Sequence, residues 1–153
     1  MKKIFILALA ASLAAVSCQE MGVYENNNEA NVTIKAGFPE TKAISDGLTA
    51  TKLIYEVYHV GGTDASPVYT LVTDETATLT NKTTSLNFTL MRDNKYVALF
   101  WAQSPNAPYT KDAKYGLQNI AMNYTGHLEG NNESRDAFCG KVEIDLKIKL
   151  ALI

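Results

Sequence analysis

Residues Tyr96 to Ala102 read YVALFWA, and whether this run is a strand or a buried helix decides the fold. Apolar side chains occupy both faces of the run, which suits an internal strand. A helix of this pattern would want more length and a cap, and neither is present. Just upstream, Ser85 to Met91 alternates cleanly, with Leu86, Phe88 and Leu90 set against Ser85, Asn87 and Thr89. Arg92-Asp93-Asn94 supplies the turn between the two runs. Two adjacent β segments joined by a short polar turn make the chain β-rich at its centre.

The same period extends outward. Asn31 to Ala36 alternates Val32, Ile34 and Ala36 with Asn31, Thr33 and Lys35, and Gly37-Phe38-Pro39 closes it. Lys52 to Val60 (KLIYEVYHV) is rich in β-branched and aromatic residues on both faces and reads as an internal strand ended by Gly61-Gly62. Val68 to Thr73 and Thr76 to Thr80 read as two shorter strands. Ser104 to Tyr115, with Pro105 and Pro108, reads as a long loop. Gly116 to Tyr124 fits either a strand or a helical turn, and Glu133 to Phe138 one helical turn. The last segment, Lys141 to Ile153 (KVEIDLKIKLALI), places Val142, Ile144, Leu146, Ile148, Leu150 and Leu152 on one face. Short strands at this spacing, without a long amphipathic helix, predict an all-β fold, an antiparallel β-sandwich of about seven strands and Ig-like in class.

A chain of 153 residues, 46% hydrophobic and 20% charged, is long enough for one domain with its own core. The first seventeen residues look different. Lys2 and Lys3 precede an uncharged apolar stretch, Ile4 to Val16. That stretch is shorter than the roughly 20 residues a helix needs to cross a hydrocarbon core of about 30 Å, so it reads as a signal peptide. Ala15-Val16-Ser17-Cys18 resembles the lipobox of bacterial lipoproteins, where cleavage before the cysteine precedes its acylation. Leucine is more usual at the position of Ala15. The expected organisation is therefore a signal peptide over 1–17, a flexible Asn-rich tether over 18–30, and a single β-domain over 31–153. Without the signal, Lys+Arg falls from 14 to 12 against 16 Asp+Glu, a formal charge of −4. That balance disfavours nucleic acid, whose recognition needs a basic face.

The residues that could carry chemistry are sparse. With Cys18 acylated, Cys139 has no partner for a disulfide and reads as a small buried residue in Asp136-Ala137-Phe138-Cys139-Gly140. His59 reads as a satisfied core or edge histidine. His127 and Glu129 lack the i, i+4 histidine pair of a zinc helix. Neither a phosphate loop, a Gly-x-Ser-x-Gly elbow nor paired carboxylates stand out in the sequence, so the expectation is a non-enzymatic protein without cofactor or metal. Five Asn-x-Ser/Thr sequons, at Asn31, Asn81, Asn87, Asn123 and Asn132, read as by-products of an Asn/Thr-rich β-protein. Of the aromatics, Trp101 reads as core, whereas Tyr109 and Tyr115, flanking the proline loop, are candidates for stacking against sugar rings.

Phe38-Pro39, Thr41 to Gly47 (TKAISDG), Leu53 to Tyr58 (LIYEVY), Ala98 to Ala102 (ALFWA) and Arg135 to Phe138 (RDAF) resemble the N-terminal domain of fimbrillin-like surface lipoproteins of Gram-negative anaerobes. The resemblance covers roughly residues 30 to 145. It implies a transthyretin-like sandwich and a fimbrial subunit or adhesin, anchored in the outer membrane through lipid on Cys18 and exposed at the surface. In that family a protease cuts the loop after the first strand, the strand leaves, and a terminal strand of another subunit replaces it. By the resemblance Lys42, the only basic residue between Gly37 and Ala50, is the candidate cleavage site. Family members usually continue into a second β-domain, so an end at Ile153 leaves open a truncated or frameshifted product. The alternative reading, from another class, is a surface module that binds host or bacterial glycans through Tyr109 and Tyr115.

Overall fold

The computed structural model describes residues 24–26, 28–37, 47–123 and 132–147. Among them run nine strands and one 3₁₀ turn. The strands are β1 (Tyr24–Asn26), β2 (Glu29–Gly37), β3 (Lys52–Thr63), β4 (Ser66–Thr78), β5 (Thr83–Met91), β6 (Lys95–Gln103), β7 (Tyr109–Asp112), β8 (Gly116–Met122) and β9 (Ala137–Asp145). They pair antiparallel into a three-stranded sheet, β1-β2-β5, a four-stranded sheet, β4-β3-β6-β9, and a two-stranded hairpin, β7-β8. The fold is all-β, and the two larger sheets pack as a sandwich.

Period-2 alternation builds the core. Ala30, Val32, Ile34 and Ala36 of β2 and Leu86, Phe88 and Leu90 of β5 face Leu53, Tyr55 and Val57 of β3, Tyr96, Ala98 and Phe100 of β6, and Ile144 of β9. Tyr55 and Phe88 meet edge to face across the layers, with centroids 5.7 Å apart. On the outer face of the three-stranded sheet the exposed residues of β2 and β5 form cross-strand hydrogen bonds. Thr33 Oγ1 donates to Asn87 Oδ1 (2.8 Å) and Thr89 Oγ1 to Asn31 Oδ1 (3.0 Å). Both are directly opposed pairs in the ladder, so two of the sequon asparagines serve strand pairing.

The central segment YVALFWA is a strand, and its apolar second face has a cause. Tyr96, Ala98, Phe100 and Ala102 enter the core, while Val97, Leu99 and Trp101 are half-buried on the outer face. The hairpin β7-β8 lies over that face, with β8 touching both β3 and β6. Part of the expected 104–115 loop is therefore a strand, because Tyr109 to Asp112 pairs with β8 instead of running free. Trp101, expected in the core, points the other way, since odd positions of β6 face outward. The same parity corrects Cys139. It is exposed, opposite Trp101 on β9, because its neighbour Phe138 takes the inward position.

Other boundaries differ from expectation. The two short strands predicted over 68–80 are one strand, β4, whose register slips where Val57 opposes Thr73 and Tyr58 opposes Leu71. Val72 is the extra residue of that bulge, and the polar Asp74-Glu75, which reads as a break in sequence, pairs with Glu56 and Tyr55 of β3. Gly61-Gly62 does not end β3, which continues to Thr63; Gly62, at φ +76, takes the backbone bend within the hairpin. The stretch read as a tether already pairs at β1 and at the start of β2, where Ala30 is buried. The last strand starts earlier than predicted, at Ala137, and ends at Asp145, whose Oδ1 accepts from Lys147 N (3.0 Å). Cys18 and Lys42 lie outside the described residues, as do His127, Glu129 and the 148–153 part of the final alternating run.

Candidate functional site

The most unusual side chain in the fold is Glu56. It stands in the middle of β3 on the outer face of the four-stranded sheet and is only 1% exposed. A lone buried carboxylate would cost several kcal/mol, so its partners matter. Lys111 Nζ of β7 lies 3.1 Å from Oε1. Oε2 accepts from Tyr58 OH (2.6 Å) and from the backbone N–H of Leu117 on β8 (2.8 Å). Both oxygens are thus satisfied, two of the three donors coming from the hairpin laid over the sheet.

Local sequence explains how the hairpin reaches so far down. Asp112 Oδ1 accepts from Lys114 N (2.7 Å) and Tyr115 N (2.8 Å), an Asx-type turn that reverses the chain. Gly116 follows at φ +57, and a Cβ there would stand 2.4 Å from Glu56 Oε1. Glycine at 116 is required twice over, by backbone conformation and by the close approach to the carboxylate. At the far end of the hairpin Tyr109 packs edge-on against Trp101 (5.5 Å, 72°), and its OH donates to Arg135 O (3.0 Å).

Asp74 stands directly opposite Glu56 in the β3–β4 ladder. Like charges in that position repel. Lys111 resolves the conflict by hydrogen bonding Asp74 Oδ1 as well as Glu56. Burial alone would lower the Lys111 ammonium, but the hydrogen bonds and charges of Asp74 and Glu56 outweigh it and hold the group above its usual range. Burial raises the Tyr58 phenol, as does its bond to Glu56, against an opposing bond with Gln118.

Beside this clamp runs an open groove of about 360 Å³ between β4 and the hairpin. Tyr69, Leu71 and Tyr115 give it an apolar side, and Asp74, Lys111 and Gln118 a hydrogen-bonding side. Tyr115 is half-exposed, and Lys114 Nζ lies 4.8 Å over its ring. The two tyrosines singled out in the sequence therefore part company. Tyr115 lines the groove, whereas the ring and hydroxyl of Tyr109 are engaged in seating the hairpin. Tyr69 and the Glu56–Lys111–Asp74 cluster were missed. The available signal was a single glutamate among the aliphatic and aromatic residues of LIYEVY, but its cation came from a segment read as loop. His59 has its partners, with Nε2 3.0 Å from Asn94 Oδ1 and the ring edge-on to Tyr96.

Among the described residues, no group of three or more His, Cys, Asp and Glu side chains is placed to hold a metal ion, and no helix is long and apolar enough to cross a membrane. What fold and site define is an all-β sandwich with a hairpin clamped over a buried carboxylate. The chain belongs to a family of unknown function, DUF6562, whose model matches residues 23–151. No curated protein and no solved structure matches it.

Proposed function

We propose that the protein is a lipid-anchored, non-enzymatic cell-surface protein of the outer membrane, a fimbrial subunit or adhesin that assembles by strand addition. The observation that carries this reading is the position of β2. It fills the sandwich with four alternate side chains, Ala30, Val32, Ile34 and Ala36, and pairs along its whole length with β5. A strand that contributes only alternate side chains and ladder hydrogen bonds can be replaced by another of the same pattern, which is the physics of β-augmentation. Loss of β2 would leave β5 unpaired and uncover the core, so a replacement strand would be strongly held. Lys42, in the segment after β2, is the proposed cut.

The test is digestion of the full chain with a trypsin-like protease. Release of residues up to Lys42, followed by SDS-resistant oligomers, is the expected result. A chain that is cut but stays monomeric would overturn assembly by exchange. The anchor has its own test. Radioactive fatty acid should label the protein expressed in a Gram-negative host, and Cys18→Ala should abolish the label; persistence in the variant sinks the anchor.

The groove beside β4 favours the second reading, a glycan-binding module. Tyr69 and Tyr115 offer aromatic surface, and Asp74 and Gln118 can exchange hydrogen bonds with sugar hydroxyls. Retention of the uncut monomer on a neutral polysaccharide column, lost in Tyr115→Ala, would support it. Equal retention of the variant would remove Tyr115 from that role.

A further inference from the structure

The edges of the two main sheets are not alike. β1 is three residues long. β5 shows solvent a polar row, Ser85, Asn87 and Thr89. β9 alternates charges outward, Lys141, Glu143 and Asp145, with Lys141 and Glu143 paired at 2.7 Å. Each is a recognised way of blunting an edge. β4 is different. Within five residues it exposes Val68 (58%), Tyr69 (50%), Leu71 (51%) and Val72 (48%), half of the large exposed hydrophobics among the described residues. The strand Ser66–Thr78 contains neither lysine nor arginine, and its second side pairs with no strand among the described residues.

We infer that β4 pairs antiparallel with β4 of a second copy of this chain, making one eight-stranded sheet across a two-fold axis at Thr70. The sequence of the strand chooses the partner and the register. With the axis at Thr70, Tyr69 opposes Leu71, and Val68 faces the bulge residue Val72 of the other copy. Apolar residues then meet apolar ones, and Asp74 and Glu75 of the two copies lie at opposite ends. Moving the axis to Val72 sets Tyr69 against Glu75 and Thr70 against Asp74. Moving it to Val68 sets Val72 against Asp64 at the hairpin tip. Of these three registers, the one at Thr70 alone is free of such conflicts. Pro67, which lacks an N–H, and the bulge at Val72 bound the apolar window and so limit slippage, a common weakness of open edges. Because both copies use the same edge, the contact is isologous and closes as a dimer. It goes beyond strand exchange, needing no proteolytic cut and leaving β2 in place.

Opposed residues in an antiparallel ladder have Cα atoms about 4.5 or 5.5 Å apart, within the range a disulfide spans. In the full chain carrying Cys18→Ser and Cys139→Ser, Thr70→Cys should cross-link two copies under mild oxidation. Thr76→Cys, on the same edge but off the axis, and Glu143→Cys, on the opposite edge, should cross-link far more slowly. Sedimentation of the uncut chain in detergent should show a dimer. Leu71→Lys, at a position already exposed, should weaken it at least tenfold with an unchanged circular dichroism spectrum. Cross-linking of Thr70→Cys no faster than the two controls overturns the inference, as does a monomer at every accessible concentration. Oligomers that appear only after cleavage, with β2 lost, would overturn self-pairing and leave strand exchange standing. A dimer of uncut chain that forms no polymer after cleavage would do the reverse.

Discussion

Glu56 sets the energetics of the outer face. Its two oxygens hold three donors, and one of them, Lys111, also neutralises the Asp74 carboxylate across the ladder. Removing one member of such a group deprives its buried neighbours of a hydrogen bond, which costs more than the intact group contributes relative to an apolar replacement. Glu56→Ala is therefore expected to destabilise by about 3 kcal/mol in urea unfolding, within the range for broken buried pairs. Glu56→Gln keeps the acceptor for Tyr58 and Leu117 and should cost clearly less. An equal loss for both would mean that shape, not hydrogen bonding, is what the site needs. Gly116→Ala tests the same clamp from the other side. A positive φ costs a non-glycine residue about 1–2 kcal/mol, and the added Cβ would collide with the Glu56 carboxylate. A neutral outcome would show that the hairpin can lift without penalty.

The hairpin β7-β8 is the element that sequence reading describes least well, and its seating explains why. Four residues, Tyr109–Asp112, make a strand too short to show a period, and two prolines stand just before it. Its stability comes from contacts distant in sequence: Lys111 to Glu56, Leu117 N to Glu56, and Tyr109 against Trp101. None of these leaves a local signal. By contrast β5 and β9 are legible because each buries one face, and period 2 then records it directly. The unity of β4 was hidden by Asp74-Glu75, whose carboxylates read as a break although both residues pair with β3. Lys111→Met removes the charge that ties the hairpin down and keeps much of the side-chain volume. Hydrogen exchange should accelerate over residues 109–122 while β2 and β5 stay protected, a local opening in place of global loss. The lone tryptophan, Trp101, should report it as a red-shifted emission. Uniform acceleration across both sheets would show that the hairpin has no separate stability.

On the scale of the whole molecule, the described residues form three layers: the β1-β2-β5 sheet, the β4-β3-β6-β9 sheet and the hairpin. The sandwich class was legible because both facing sheets alternate, whereas the third layer was not, so neither was the groove it walls. One buried tyrosine of β3 faces each interface. Tyr55 sits between the two sheets beside Phe88, with its OH donating to Glu75 Oε2 (2.7 Å). Tyr58 sits under the hairpin on Glu56. Burial, then the hydrogen bond and charge of Glu75, push Tyr55 from 10.0 up to about 12, and burial with the Glu56 bond raises Tyr58. Their folded values exceed the unfolded one, so the folded state holds these protons where the unfolded chain has lost them. Their contribution to stability is thus complete below about pH 10, the ordinary tyrosine value, and declines as pH rises towards about 12 for Tyr55. Titration followed at the phenolate absorbance should show a late phase to which Tyr55 and Tyr58 contribute. Tyr55→Phe should remove one late tyrosine and flatten the fall of stability between those limits. The substitution also deletes a bond to a half-open carboxylate, so some loss near neutral pH is expected and does not bear on the slope. A slope unchanged by Tyr55→Phe would assign the alkaline loss to Tyr58 and Lys111, at the hairpin interface, and would make the outer layer the first to part from the sandwich.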